Sequence, residues 1–264
     1  MRVKYLLVLV FLILNSCDYH EYPHKNLEIS ERIIFPTAVV VSNLDYLVNP
    51  VSKEIYEMLP ELLNLLLEDE FVSLGVKESL ASCVLTRGLI SFDMPLNIKD
   101  ADCVIIVSEE IDTSNGRIVA FTANSNSSKK TIPYIVIFPY ELSKETWIRI
   151  LYHEAIHLDD FMKGTICNLS ETKCVVDSEY MAINATTNLF IRYLRKNGFT
   201  LEDILAFEEN PKNSESAENQ RFFEFVEKNS VSMDEKDLIF LEIEYAQAKL
   251  NNNLYSFIEF LYTR

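Results

Sequence analysis

His153, Glu154 and His157 spell His-Glu-x-x-His in the stretch between Trp147 and Phe161. Residues four apart share one face of a helix, so both imidazoles can reach a single cation with the glutamate beside them. Neutral imidazole is a good zinc ligand, and a catalytic zinc takes three protein ligands while leaving a fourth position for water. Glu154 is then free to act on the proton of that water. The spacing therefore predicts a zinc site at His153 and His157 with Glu154 as its base. A core helix whose histidines bond to backbone is the plainer reading, and the glutamate between the pair argues against it.

The elements that must position these residues are legible on either side. Ser143 as a cap, Glu145 in the first turn and Gly164 as a stop predict a helix through the motif. Thr146, Ile150, His153 and His157 follow at spacings of four, three and four, in line with a core-facing residue. Upstream, Ile55, Met58, Leu59, Leu62, Leu63, Leu66 and Leu67 form the apolar stripe of a helix from Pro50 to about Glu70. A second helix is expected near Lys77–Thr86. Short β-branched and aromatic runs at Asp102–Ser108, Arg117–Thr122 and Tyr134–Phe138 predict strands, the last two paired as a hairpin across Asn124–Lys130.

Beyond Gly164 comes a loop carrying Cys167 and Cys174, then a helix from about Asp177 to Lys196 closed by Asn197-Gly198. Glu179, Ala182, Thr186, Leu189 and Tyr193 share one face of it. A carboxylate heading an apolar face, 22 residues after His157, is the first choice for a third zinc ligand, with Asp177 and Glu171 behind it. A glutamate favoured by the helix dipole is the competing explanation. Thr200 and Ser232 open further helices, Ser232 with Glu235 in the form of a capping box, and Leu238, Leu241, Tyr245 and Ala248 recur at helical spacing. Pro211 and Asn213–Asn219 read as a loop. The expected class is α+β, mainly α, with a short antiparallel sheet packed on the motif helix and a helical C-terminal part.

Arg2 and Lys4 followed by the apolar run Tyr5–Leu14 form a secretory leader, too short to span a bilayer as a mature helix. Its end, Leu14-Asn15-Ser16-Cys17, resembles the lipobox of bacterial lipoproteins, which implies cleavage after Ser16 and a lipid on Cys17. The expected organisation is a signal peptide over 1–16, a lipidated cysteine and polar tether over 17–31, and one domain over 32–264, with 200–264 as a possible helical subdomain. His20 and His24 flank Pro23 in the tether and are tail residues. The remaining cysteines, Cys83, Cys103, Cys167 and Cys174, are even in number in a chain bound for an oxidising compartment. Of three pairings, Cys83 with Cys103 and Cys167 with Cys174 is favoured, the second closing a short loop; four buried thiols are the alternative. The formal charge of −16 falls to −18 once Arg2 and Lys4 are removed, which speaks against nucleic acid and anionic lipid as partners. The lipid on Cys17 is the expected route to the membrane of a bacterial cell envelope.

His153, Glu154, His157 and Glu179 together resemble the zincin metallopeptidases, most closely the gluzincin branch, whose third ligand is a glutamate on a later helix. The likeness covers about fifty residues, Tyr134 to about Leu189. Asp160 stands where the metzincin pattern has glycine, and Ile183 stands where the thermolysin pattern has aspartate. The resemblance implies hydrolysis of a peptide or protein substrate: zinc acidifies a water to a pKa of about 7, and Glu154 takes its proton and passes it to the departing amine. It also implies that the strand Tyr134–Phe138 lies at the lip of the cleft and pairs with an extended substrate. Tyr180 is a candidate donor to the developing oxyanion, and Asp160 a candidate partner for a ligand imidazole. The competing class is a lipoprotein without chemistry, a binding module or pseudoenzyme. A zinc carrier fits poorly, because it has no use for Glu154.

Overall fold

The structure, a computed structural model, describes residues 49–88, 102–108, 120–126, 131–165, 172–208 and 217–262. The leader, Cys17, the tether, Cys167 and Glu171 lie outside the described residues. The chain divides into two compact units, one of Met1–Tyr140 with Ile150–Glu171 and one of Glu141–Arg149 with Thr172–Arg264.

In the first unit, α1 (Pro50–Glu68) starts where Asn49 accepts hydrogen bonds from the Val51 and Ser52 amides at 3.0 and 3.4 Å. Its stripe of Ile55, Leu59, Leu62, Leu63 and Leu66 is buried. Helix α2 (Leu74–Ala81) is capped by Ser73. It ends sooner than its periodicity predicts, and Thr86 belongs to strand β1 (Cys83–Gly88). Cys83 and Val84 obey a cross-strand partner there, since β1 pairs with β2 (Cys103–Ser108) in a register that sets Cys83 opposite Cys103. Those two cysteines form a disulfide, as the favoured pairing expects. Cys174 is also disulfide-bonded.

Strands β3 (Ala120–Asn126) and β4 (Thr131–Ile137) form the expected antiparallel hairpin. The sheet order is β1-β2-β4-β3, and β1, β2 and β4 run parallel, which corrects the expectation of an antiparallel sheet. Every residue of β2 is buried, as a strand covered on both faces requires, and its unbroken apolar run says the same. One face carries Val84, Val104, Ile106, Tyr134, Val136 and Phe138 as a single cluster. The topology also corrects the position given to Tyr134–Phe138. Strand β4 is paired on both sides, so its backbone has no edge to offer a substrate; among the described residues the outer strand next to it is β3.

Helix α3 (Lys144–Met162) carries the motif, and its residues from Ile150 onward belong to this first unit. Gly164, at φ +75°, ends it as expected, and the Thr165 amide bonds back to the Asp160 carbonyl at 2.9 Å. A Cβ on Gly75 of α2 would stand 2.9 Å from Asp159 Oδ1, so the glycine permits the close approach of that carboxylate. Asp159 in turn accepts from the Ser79 hydroxyl at 3.2 Å and pairs with Lys163 at 2.5 Å.

The second unit holds the start of α3 together with α4 (Thr172–Lys196), α5 (Leu201–Ala206), α6 (Ala217–Asn229), α7 (Met233–Leu250) and α8 (Leu254–Tyr262). Its core is aromatic: Phe190, Phe199, Phe207, Phe222 and Phe225 pack with Ile239 and Ile243. Helix α6 reaches back to Ala217, so the last three residues of the loop expected over Asn213–Asn219 are helical, while Pro211 and 213–216 lie outside the described residues. Asn219 instead holds the chain at Glu208, bonding its amide at 3.1 Å and its carbonyl at 3.2 Å. The buried stripe of α4 is Val175, Val176, Glu179, Ala182, Ile183, Thr187, Phe190 and Leu194. It keeps Glu179 and Ala182 but turns one position from the face expected, leaving Thr186, Leu189 and Tyr193 half-buried. The molecule is thus α+β and mainly helical, and no helix among the described residues is long and apolar enough to cross a membrane.

Candidate metal centre

His153 and His157 sit one turn apart on α3, both half-buried, with their Nε2 atoms 3.1 Å apart. Their rings meet edge to face with centroids at 4.8 Å. Two nitrogens on one tetrahedral zinc, each about 2.0–2.1 Å from it, stand about 3.3 Å apart. The spacing found therefore fits a shared ion. In the absence of an ion, one imidazole can serve as N–H donor and the other as acceptor across the same distance.

Glu154 is buried, as a charged residue rarely is without a partner. Its partner is Thr122 of β3: the threonine hydroxyl lies 2.8 Å from Glu154 Oε2 and 3.0 Å from the Glu154 carbonyl oxygen. One hydroxyl proton serves one acceptor at a time, and the side-chain carboxylate oxygen is the nearer of the two. Strand β3 thus fixes one oxygen of the glutamate. Sequence reasoning placed Thr122 at the end of a strand and gave it no role. Nothing local marks it, because its meeting with Glu154 depends on how the strand lies against α3.

The start of α3 is held within the second unit. Ser143 caps the helix, its hydroxyl accepting from the Thr146 amide at 3.3 Å. Glu235, completely buried on α7, accepts from the Ser143 amide at 2.9 Å, from the Ser143 hydroxyl, from the Thr146 hydroxyl at 2.6 Å and from the Val231 amide at 2.7 Å. Only half of the expected capping box forms at Ser232: the serine accepts from the Glu235 amide at 3.1 Å, while the glutamate side chain turns to α3. One turn further along α3, Arg149 makes a two-pronged pair with Glu242 at 2.5 and 2.7 Å and lies over the Phe190 ring at 5.0 Å. Burial pushes the Glu242 carboxyl above its ordinary value, and the Arg149 guanidinium pulls against that rise.

The remaining sequence candidates divide between the two units. Asp160 is half-buried near the end of α3; burial raises its carboxyl, and the charge of His157 opposes the rise. Glu179 is buried on α4 in the second unit. Beside it, Tyr180 meets Tyr255 of α8 edge to face at 5.2 Å, and the Tyr255 hydroxyl donates to Asp177 at 2.6 Å. That bond pushes the Tyr255 phenol up to about 12. Asp177 is exposed and engaged by tyrosine, and so is the weaker choice of ligand beside Glu179. No protein-family model matches the chain, and no significant match exists among curated proteins or solved structures.

Proposed function

We propose that the chain is a zinc-dependent metallopeptidase of zincin type, held at a bacterial cell envelope by a lipid on Cys17. The observation that carries this reading is the 3.1 Å approach of the His153 and His157 Nε2 atoms beside a buried Glu154 whose carboxylate Thr122 holds. Its donors support zinc: His153 and His157 offer two imidazole nitrogens on one turn of α3, and Glu179, a buried carboxylate on α4, is proposed as the third ligand. Two imidazoles and a carboxylate with a position left for water are the ligands of a catalytic site, and oxygen-only cations such as magnesium would not select them.

A zinc ion bound there supplies an acidified water and polarises the scissile carbonyl. Glu154 accepts the proton released from the water and delivers it to the departing amine. With Oε2 held by Thr122, Oε1 is the oxygen left for that transfer. Strand β3, the outer strand of the described sheet, is proposed to pair with an extended peptide beside the glutamate that its Thr122 holds.

The test uses full-length protein and a mixed peptide library read by mass spectrometry. The zinc-loaded parent is expected to cleave, and Glu154→Gln to keep its zinc while losing cleavage by about a thousandfold or more. Equal cleavage by the two proteins would remove Glu154 from the chemistry. A zinc-loaded parent that cleaves nothing would favour the binding module.

A further inference from the structure

Two carboxylates of α3 are held by hydroxyls from other elements of the first unit. Thr122 of β3 holds Glu154, and Ser79 of α2 donates to Asp159 Oδ1 at 3.2 Å. Both residues of the second bond are buried. An apolar pair would join α3 to α2 without the cost of desolvating a carboxylate, so a buried aspartate two residues beyond His157 calls for a reason. Direction is what a hydrogen bond adds, since apolar contacts are indifferent to small rolls of a helix.

Five residues separate Glu154 from Asp159, which sets them about 140° apart around the helix, with His153 and His157 on a third side. A helix tied on two sides resists rolling about its axis. At an outer radius of about 5–6 Å, a roll of about 10° carries a side chain about 1 Å, enough to spoil the aim of a ligand. Ser79 is itself fixed: its carbonyl accepts from the Ser82 hydroxyl at 2.7 Å and lies 3.3 Å from Sγ of Cys83, whose disulfide with Cys103 ties β1 to β2. Gly75 leaves room for the carboxylate on the same helix, since a Cβ there would stand 2.9 Å from Asp159 Oδ1.

We propose that Asp159 is a positioning residue for the metal centre, its bond to Ser79 fixing the roll of α3 and with it the direction in which His153 and His157 present their Nε2 atoms. This rests on the reading of the two histidines as zinc ligands. Lys163 has no part in the device: it reaches the same carboxylate along α3 itself, so that pair turns with the helix.

Zinc affinity of the full-length chain, measured by competition with a chromophoric chelator, tests the proposal without a substrate. Ser79→Ala is expected to bind zinc about tenfold more weakly than the parent, and its cobalt-loaded form to show an altered visible absorption band. Lys163→Ala should keep the parent affinity. Ser52→Ala deletes another buried hydroxyl bond of the same unit, to the Ser108 carbonyl at 2.6 Å, and should lower the melting temperature without weakening zinc. If Ser79→Ala does not fold, Gly75→Ala displaces the Asp159 carboxylate while favouring the helical state of α2, and the same loss of affinity is expected. Parent-like affinity in the folded Ser79 or Gly75 variant, or an equal loss in Ser52→Ala, would overturn the positioning role while leaving the zinc site standing. A parent that takes up no zinc would overturn the site and the proposal together.

Discussion

Glu154 and Thr122 form the smallest unit of the account, a base and the donor that aims it. Valine matches threonine in shape and suits a strand, so Thr122→Val removes the hydroxyl with little cost to the fold. Zinc content should stay at the parent level while turnover falls about tenfold, the effect of losing one hydrogen bond to a charged group. Thr122→Ser should restore most of it. Parent-like turnover in the valine variant would show that Glu154 needs no such support. The histidine pair and Glu154 were readable from spacing alone, because a helix converts a four-residue interval into a shared face. Thr122 was not readable, because its contact joins residues 32 positions apart through the placement of a strand.

At the scale of elements, α3 depends on α7 for its start. Removing the Glu235 carboxylate takes the acceptor from four donors, three from Ser143 and Thr146 at the start of α3 and the Val231 amide just before α7. Glu235→Ala should therefore lower unfolding free energy by about 3 kcal/mol in a urea titration, and a loss below about 0.5 kcal/mol would deny it this role. The neighbouring Glu242 should leave a mark on pH dependence. Its carboxyl is raised in the folded chain, which holds the proton at pH values where the unfolded chain has released it. The resulting stability is complete below the ordinary carboxylate value and is lost as pH rises through the raised one. Above the ordinary carboxylate value, unfolding free energy should fall less steeply with rising pH in Glu242→Gln than in the parent, and equal slopes would contradict the shift. Helix starts at Ser143, Thr200 and Ser232 and the stops at Gly164 and Gly198 were legible, since caps and positive-φ glycines are local signals. The parallel order of the sheet was not legible, because it depends on β1, whose Cys83–Thr86 run also continued a helical pattern.

For the whole molecule, the sequence placed the motif on a helix following a strand, in a mainly helical α+β chain, and that arrangement stands. The division into units did not follow from composition. It falls within α3 itself, after Arg149, with the buried ion pair and aromatic contacts of that residue on one side and the imidazoles on the other. No linker of glycine, proline or serine announces it. The same chain, with a formal net charge of −16, brings two of its four histidines to one point on α3. The decisive measurement is zinc per chain in purified full-length protein beside a His157→Ala variant prepared identically. About one zinc in the parent and little in the variant is the predicted result; no zinc in either, even after reconstitution, would contradict the metal centre and the chemistry built on it.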